Sequence, residues 1–246
     1  ANSIPNGFVY DDDIYVVENP HIRDIKNIPA SFVHPEYLTS LGHKSHYRPL
    51  VMISYTINYL INGPNPVAFR ITNLLFHVGT AFLLFLTVEA VLRGREEAQS
   101  QETLQSGGVW SATTPVVAIL TPQSRKGFFI ALASALIFVV HPFNSEAVNY
   151  ITARSSLMSG FFYLTGLYCW VRYRGTTQSQ ETLHSGLGTT QNREILHSGG
   201  VGSATTPVVA ILNSSGLAVY FYFGSLLAFI LGVLSKEVVV TLPFAL

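Results

Sequence analysis

The sequence is poor in charge and nearly free of cysteine. Only 11% of its 246 residues are charged and the net charge is zero, whereas a soluble domain carries about 25% charged residues. A neutral chain has no long-range field to attract nucleic acid, so no nucleic-acid partner is expected. Cys169 is the single cysteine, which excludes an intrachain disulfide and a cysteine-rich metal site.

Several common site signatures are also missing. The sequence has no Walker A loop, no Rossmann glycine pattern, no HExxH and no GxSxG. Its eight histidines are scattered, without a pair at a spacing typical of metal ligands. The sequence therefore predicts neither a metal site nor a bound cofactor.

Hydrophobic residues are abundant instead. They make up 48% of the chain, and the mean hydropathy is +0.35. A membrane-spanning helix needs about 20 largely apolar residues. Four apolar segments come near this length, at 67–92, 127–140, 148–171 and 216–234, and a fifth run begins at Val238. The pattern predicts an all-α, multi-pass transmembrane helical bundle embedded in a lipid bilayer.

The predicted organisation follows from these segments. In chain order it comprises a polar first loop with an acidic motif (1–47), an interfacial amphipathic helix (48–62), a transmembrane helix (67–92), a loop with a repeat insert (93–126), a transmembrane helical hairpin (127–171), a second loop with a repeat insert (172–215), and a transmembrane helix with the start of another (216–246). An ordinary packed helix is the alternative for 48–62. The chain starts without Met and stops in an apolar stretch, so both ends are expected to be cut.

The two inserts share literal sequence. Residues 99–104 recur at 178–183, and residues 106–120 recur at 198–212 with one change. Structural repeats usually share a pattern at a fixed period rather than identical letters. We interpret the inserts as recent additions rich in Ser, Thr and Gly; a duplicated functional module is the alternative.

Basic residues predict the orientation. Arg93 and Arg95 follow the first predicted span, Arg125 and Lys126 precede the second, and Arg172 and Arg174 follow the third. If the spans alternate, these clusters lie on one side, which the positive-inside rule assigns to the cytoplasm. Residues 1–47, 141–147 and 235–237 then share the extracytoplasmic face.

Three polar motifs on that face could carry chemistry. Asp11, Asp12 and Asp13 could supply a general base with a raised pKa, or form a solvated acidic turn. The segment from His141 to Glu146 ends an apolar run, and Arg154 follows Glu146 at helical spacing, so both could share one face. Snorkelling of Arg154 to the interface is the alternative.

The third motif is Ser235-Lys236-Glu237, which lies between two apolar runs. A lysine at the membrane interface can bind a phosphate as a point charge, or the Lys–Glu pair can simply end a helix. Arg48, at the start of the amphipathic helix, is a second possible phosphate ligand.

Four ordered motifs together resemble one family. They are FVYDDD (8–13), HYRPL (46–50), HPFNSEAVNYITARSSLMSGFF (141–162) and LSKE (234–237). The combination is similar to the O-mannosyltransferases that join a multi-span GT-C membrane region to C-terminal tetratricopeptide repeats, and to their bacterial relatives. The resemblance covers residues 7–92, 127–174 and 216–246, and implies a partial GT-C fold with a long extracytoplasmic first loop.

The resemblance also implies an activity. The donor would be a polyprenyl-phosphate sugar such as dolichyl-phosphate mannose, and the acceptor a Ser or Thr hydroxyl of a protein. The sugar would be transferred with inversion and without a metal or cofactor. The implied site residues are the catalytic Asp11 and Asp12, with Asp13 as an extra acid; Lys236, Arg48 and Arg154 at the donor phosphate; and His141, Glu146 and Glu237, which shape the site.

Such an enzyme would lie in the bacterial inner membrane or the endoplasmic reticulum, with its active face extracytoplasmic. The family's first span, later spans and repeats are missing here, so this fragment alone can lack activity. A transporter or flippase of lipid-linked substrates, or a non-catalytic membrane scaffold, are the alternatives. A transporter is expected to carry polar residues near mid-span, whereas here they cluster at span ends, which favours the transferase.

Overall fold

The computed structural model describes residues 6–41, 46–107, 122–194 and 205–245. Residues 108–120 of the first longer repeat copy and residues 198–204 of the second lie outside these ranges. Within them the chain is helical and contains no β-strand, which confirms the all-α prediction. The α-helices are α1 (Pro49–Asn62), α2 (Pro66–Gly107), α3 (Pro122–Val140), α4 (Phe143–Asn149), α5 (Arg154–Glu194), α6 (Thr205–Ser235) and α7 (Leu242–Ala245).

The first loop is a chain of short turns. A π-helical turn at Asp13–Val17 precedes four 3-10 turns, at Pro20–Arg23, Ile25–Asn27, Pro29–Phe32 and Pro35–Leu38. Three of the 3-10 turns begin with proline, whose fixed φ suits a first helical position and whose missing N–H costs nothing there. The positions of these prolines therefore set where three of the four 3-10 turns begin.

Buried residues attach this loop to the bundle. The side-chain amide of Asn19 is fully buried and donates to the carbonyls of Tyr37 and Leu38, both at 3.0 Å. An apolar core joins loop residues to α1, α2 and α5; its members are Val16, Ile22, Leu38, Val51, Met52, Tyr55, Phe69, Ile151 and Met158. The loop is thus a packed layer over one end of the helices.

Two helical segments are long and apolar enough to cross a membrane, Pro66–Gln99 of α2 and Gly216–Ser235 of α6. The pair Arg125–Val140 and Phe143–Asn149 meets the same criterion as a third span, bent by 61°. The bend lies at His141-Pro142, between the two helices, because proline disfavours continuation of a helix. These segments correspond to three of the four predicted spans.

The structure differs from the prediction at 148–171. Residues 148 and 149 belong to α4, and α5 begins only at Arg154, after a turn. Among the described residues, α5 is not one of the helices that meet the span criterion. In the predicted hairpin 127–171, α3 packs mainly against α2, whereas α5 packs mainly against α6 and next against α2, so the two helices are not each other's main packing partners.

The two ends of the bundle carry different groups. Arg93 shares one cleft with Arg125 and another with Arg172, so the three basic clusters lie at one end. Arg154 lies at the other end, under the first loop. The 18 positions from Arg154 to Arg172 along α5 correspond to about 27 Å at 1.5 Å per residue, close to the roughly 30 Å of a hydrocarbon core.

Candidate functional site

The turn before α5 and the first residues of that helix, 151–156, belong to the third motif and contact the other three. The first contact is with the acidic motif. One carboxylate oxygen of Asp12, Oδ1, accepts from the backbone N–H of Thr152 at 3.2 Å, and Oδ2 accepts from Val9 N–H at 3.2 Å. Asp12 is fully buried. Burial raises its pKa, and the two backbone hydrogen bonds and the charge of Arg70 partly oppose that rise.

The neighbouring aspartates face outward. Asp11 and Asp13 are both exposed. The carbonyl of Asp11 accepts from the N–H groups of Ile14 and Tyr15, which fixes its backbone, and Tyr10 before it adopts a left-handed conformation with φ of 59°. Of the two predicted catalytic aspartates, only Asp11 can therefore meet a substrate without a movement of the loop.

Arg154 is fully buried and bonded to protein groups. Its Nε donates to Asn73 Oδ1 at 2.9 Å, and its Nη2 donates to the carbonyl of Phe69 at 2.8 Å. Its Nη1 donates to Asn58 Oδ1 at 2.6 Å and to Ser54 Oγ at 3.3 Å. Every guanidinium nitrogen has a partner, so the predicted role of Arg154 as a phosphate ligand does not fit this geometry.

Aromatic rings close the pocket around the guanidinium. The Tyr55 ring centroid lies 4.7 Å from Arg154 Cζ, and the Phe69 ring centroid lies at 5.3 Å. The Tyr55 hydroxyl donates to the carbonyl of Ile151 at 3.0 Å. Arg154 thus links α1, α2 and α5, and fixes the turn that holds Asp12.

Arg48 and Lys236, which belong to distant motifs, donate hydrogen bonds to the two residues that follow Arg154. Arg48 Nη1 donates to Ser155 Oγ at 3.4 Å, and Lys236 Nζ donates to Ser156 Oγ at 2.9 Å. The Nε of Arg48 is buried and has no hydrogen-bond partner within the described chain. These groups lie at the first turn of α5, where the helix dipole also favours an anion. The arrangement can hold a phosphate.

Glu237 lies beside this pair of cations. His46 Nδ1 is 3.7 Å from Glu237 Oε1, and both side chains are largely exposed. A hydrogen bond from its own backbone N–H, followed by the positive charges of Arg48, His46 and Lys236, lowers the pKa of Glu237. Glu237 therefore stays ionised and balances the cations.

The second-loop residues lie at a separate cleft. His141 is exposed and lines a cleft of about 360 Å³ together with Arg70, His77 and Asn144. Arg70 connects this cleft to the acidic loop, since its Nη2 donates to the Gly7 carbonyl at 2.5 Å and its Nε donates to the Asn149 carbonyl at 3.1 Å.

Glu146 is exposed on α4. The face that it was predicted to share with Arg154 does not form, because the turn at 150–153 separates α4 from α5.

Sequence reasoning missed the residues that support the site. Asn73 and Asn58 bind Arg154, and Ser155 and Ser156 bind the two cations. One signal was present in the first span, where Arg70, Asn73 and His77 follow a spacing of three and four. Such a polar stripe in an apolar helix indicates a face turned toward protein. No group of three or more His, Cys, Asp or Glu residues suited to a metal occurs in the part of the chain described.

Comparisons with known proteins agree with the motifs. No family model and no solved structure matches the chain. It is 29% identical over 190 residues to protein O-mannosyl-transferase TMTC4 of Mus musculus. The matched segment covers 75% of this chain and 23% of that protein. Protein O-mannosyl-transferase TMTC3 of Homo sapiens is 22% identical, over 72% of this chain and 16% of its own length. Protein O-mannosyl-transferase Tmtc1 of Drosophila melanogaster is 26% identical, over 66% and 16%.

The chain therefore spans about a fifth of the length of these curated relatives. Identities of this size over most of the chain, together with the four ordered motifs, confirm the family resemblance: the homologues of this chain are protein O-mannosyl-transferases.

Proposed function

We propose that the protein containing this chain is a membrane O-mannosyltransferase. It moves a sugar, mannose, from a polyprenyl-phosphate donor to a Ser or Thr hydroxyl of a protein. The reaction takes place on the extracytoplasmic face of the endoplasmic reticulum or of a bacterial inner membrane. The names of the relatives support the acceptor class and the sugar.

One observation carries the proposal. Residues 152–156 hold the acidic motif at Thr152 and the two phosphate-binding candidates at Ser155 and Ser156. Asp11 lies 37 positions before Arg48 and 225 positions before Lys236, yet all three motifs meet at residues 152–156. A transferase needs this arrangement, because its base and its leaving-group ligands must act on one donor–acceptor pair.

The acidic motif supplies the base. The exposed carboxylate of Asp11 takes the proton of the acceptor hydroxyl, while the hydroxyl oxygen attacks the anomeric carbon of the sugar. The bond between that carbon and the phosphate oxygen breaks, and the polyprenyl phosphate leaves with the bonding pair. Buried Asp12 positions Asp11 through its hydrogen bonds to Val9 and Thr152.

The cations act on the leaving group. Negative charge grows on the phosphate as the glycosidic bond breaks, and preorganised cations stabilise that charge. Arg48 and Lys236 are partly exposed and are held through serine hydroxyls rather than by carboxylates. Both can therefore exchange a hydroxyl partner for a phosphate oxygen.

The nearby surface suits a lipid-linked donor. On α1, Ile57, Leu60 and Ile61 are exposed by 48%, 47% and 71%, while Val51, Met52 and Tyr55 face the core. A helix with one apolar face packed and another exposed fits the membrane interface. The polyprenyl chain would remain in the bilayer while its phosphate reaches the start of α5.

The test compares neighbouring aspartates in the full-length protein, with sugar transfer from a polyprenyl-phosphate donor as the assay. Asp11→Asn should lower the rate by at least about 100-fold, the usual scale for loss of a general base. Asp13→Asn removes the same charge two positions away and should retain most activity. Equal activity of the Asp11→Asn variant and the wild type would remove the proposed base.

A second pair tests the phosphate ligand. Lys236→Gln should slow transfer, whereas Lys26→Gln, an exposed lysine of the first loop, should not. If both variants matched the wild type, the leaving group would not be stabilised at this position.

A further inference from the structure

The end of the bundle opposite to Asp12 carries a second convergence of charge. Arg93 of α2 and Arg125 of α3 line a cleft of about 450 Å³, whose other lining residues are Phe128 and Phe129. No acidic side chain lines this cleft within the described chain. Its lining thus combines two guanidinium groups with two aromatic rings.

A second cleft adjoins the first through Arg93. It measures about 310 Å³ and lies between α2 and α5, with Arg172 on its other side and Glu97 as its acidic member. Arg93 Nη2 donates to Glu89 Oε1 at 2.6 Å but remains 61% exposed. Arg172 lies over the Phe221 ring at 5.6 Å. The three arginines therefore come from three helices, and Arg93 is common to both clefts.

Positive charge exceeds negative charge here. Over residues 89–97, 125–126 and 172–174, the basic residues are Arg93, Arg95, Arg125, Lys126, Arg172 and Arg174, and the acidic residues are Glu89, Glu96 and Glu97. One guanidinium group can donate two parallel hydrogen bonds to two oxygens of a phosphate. The region thus suits an anion more than a cation or a neutral sugar.

The walls of the first cleft point to an amphiphile. Phe128 and Phe129 are exposed by 43% and 63%. They begin the apolar part of α3, on which Ile130, Leu136 and Ile137 are also exposed. A ligand whose phosphate contacts the arginines would lay an apolar chain along this surface. Phe128 also contacts the rings of Phe85 and Phe129, and free phosphate would leave the exposed parts of Phe128 and Phe129 uncovered.

We propose that this cleft pair is a binding site for an anionic phospholipid, whose phosphate lies between Arg93, Arg125 and Arg172 and whose acyl chains pack on Phe128 and Phe129. Basic clefts between helices at a membrane surface bind anionic headgroups through the same combination of charge and apolar contact. The site lies about one hydrocarbon thickness from the Asp12 end, so it differs from the donor site. Its existence does not depend on the transferase activity.

The chain offers a matched control for the test. Arg95, Lys126 and Arg174 are exposed neighbours of the three cleft arginines on the same helices, and they do not line either cleft in the described structure. A cleft variant, Arg93→Gln/Arg125→Gln/Arg172→Gln, and a control variant, Arg95→Gln/Lys126→Gln/Arg174→Gln, lose equal charge at the same membrane surface. Only the cleft variant removes the proposed ligands.

Binding is measured on the full-length protein in detergent by native mass spectrometry, with phosphatidylglycerol, phosphatidylcholine and inorganic phosphate as separate probes. We expect the wild type and the control variant to retain phosphatidylglycerol over phosphatidylcholine. The cleft variant should bind phosphatidylglycerol roughly tenfold or more weakly, because each basic residue contributes appreciably to anionic lipid binding.

Three results would overturn the proposal. Equal losses in both variants would show diffuse attraction, and unchanged binding in the cleft variant would show that the arginines are not ligands. Inorganic phosphate that displaces the lipid at equal concentration would show a free-anion site. Should the triple cleft variant fail to fold, Arg125→Glu alone, at an exposed position, must still reduce binding relative to Lys126→Glu.

Discussion

Asp12 Oδ1 accepts a hydrogen bond from the backbone N–H of Thr152, 140 positions along the chain. This bond fastens the first loop to the turn before α5. Because Ser155 and Ser156 follow in the next turn and bind Arg48 and Lys236, the position of the acidic motif relative to the cations depends on it.

Asp12→Ala should loosen the first loop. The N–H groups of Val9 and Thr152 would lose their acceptor, which costs about 1 to 2 kcal/mol. Limited proteolysis of residues 6–41 should accelerate, whereas Asp13→Ala at an exposed neighbour should leave the cleavage rate as in the wild type. Equal cleavage of the two variants would show that the buried carboxylate does not hold the loop.

The same carboxylate predicts a pH dependence. Burial raises the pKa of Asp12 above its ordinary 3.8, so the folded loop binds a proton more readily than the unfolded loop. Stability should therefore decrease as the pH rises from 3.8 through the raised pKa, and level off above it. Protease resistance measured across this range should show the decrease in the wild type and in Asp13→Ala. The Asp12→Ala variant should lack it; a decrease that persists there would come from another group.

Arg154→Met should destabilise the whole bundle. Asn73, Asn58, Ser54 and the Phe69 carbonyl would all lose their donor inside the core, at a cost of about 3 kcal/mol or more. Thermal unfolding in detergent should show a large loss for Arg154→Met, a smaller one for Arg154→Lys, and almost none for Arg174→Met at an exposed site. If the Arg154→Met variant unfolded at the same temperature as the wild type, Arg154 would not stabilise the bundle.

The sequence predicts the fold better than it predicts the role of individual polar residues. Long apolar runs identify α2 and α6 because the bilayer sets their length, and the basic clusters predict one shared end. Burial of Arg154 could not be predicted in the same way, because it depends on Asn58 and Asn73 facing it from two other helices. Likewise, no local pattern distinguishes buried Asp12 from exposed Asp11.

Gly232 should control the position of Lys236. A Cβ atom at Gly232 would lie 2.5 Å from Val239 Cγ1. Val239 lies in the 3-10 turn Glu237–Thr241, and its backbone N–H donates to the Lys236 carbonyl. Gly232→Ala should displace this turn and raise the KM for the donor on the order of tenfold, as expected for a misplaced ligand.

Two further variants make this prediction specific. Val239→Ala in the same chain should restore the KM, because it removes the contacting methyl groups. Gly216→Ala on the same helix has nothing within 4 Å and should behave as the wild type. If Gly216→Ala raised the KM equally, the effect would come from a general change in α6 and not from displacement of the turn that holds Val239.

The shared face of the motifs can be tested by topology. Single cysteines at exposed Tyr10, Glu146 and Val238 should react with a membrane-impermeant thiol reagent from one side, and cysteines at exposed Arg95 and Arg174 from the other, in a full-length background that includes Cys169→Ser. The physical reason is distance: the Lys236–Ser156 and Asp12–Thr152 hydrogen bonds hold both motifs to neighbouring residues, so a bilayer cannot separate them. If the cysteines at positions 10 and 238 were labelled from opposite sides, these hydrogen bonds could not exist, and the base and the phosphate ligand could not share a site.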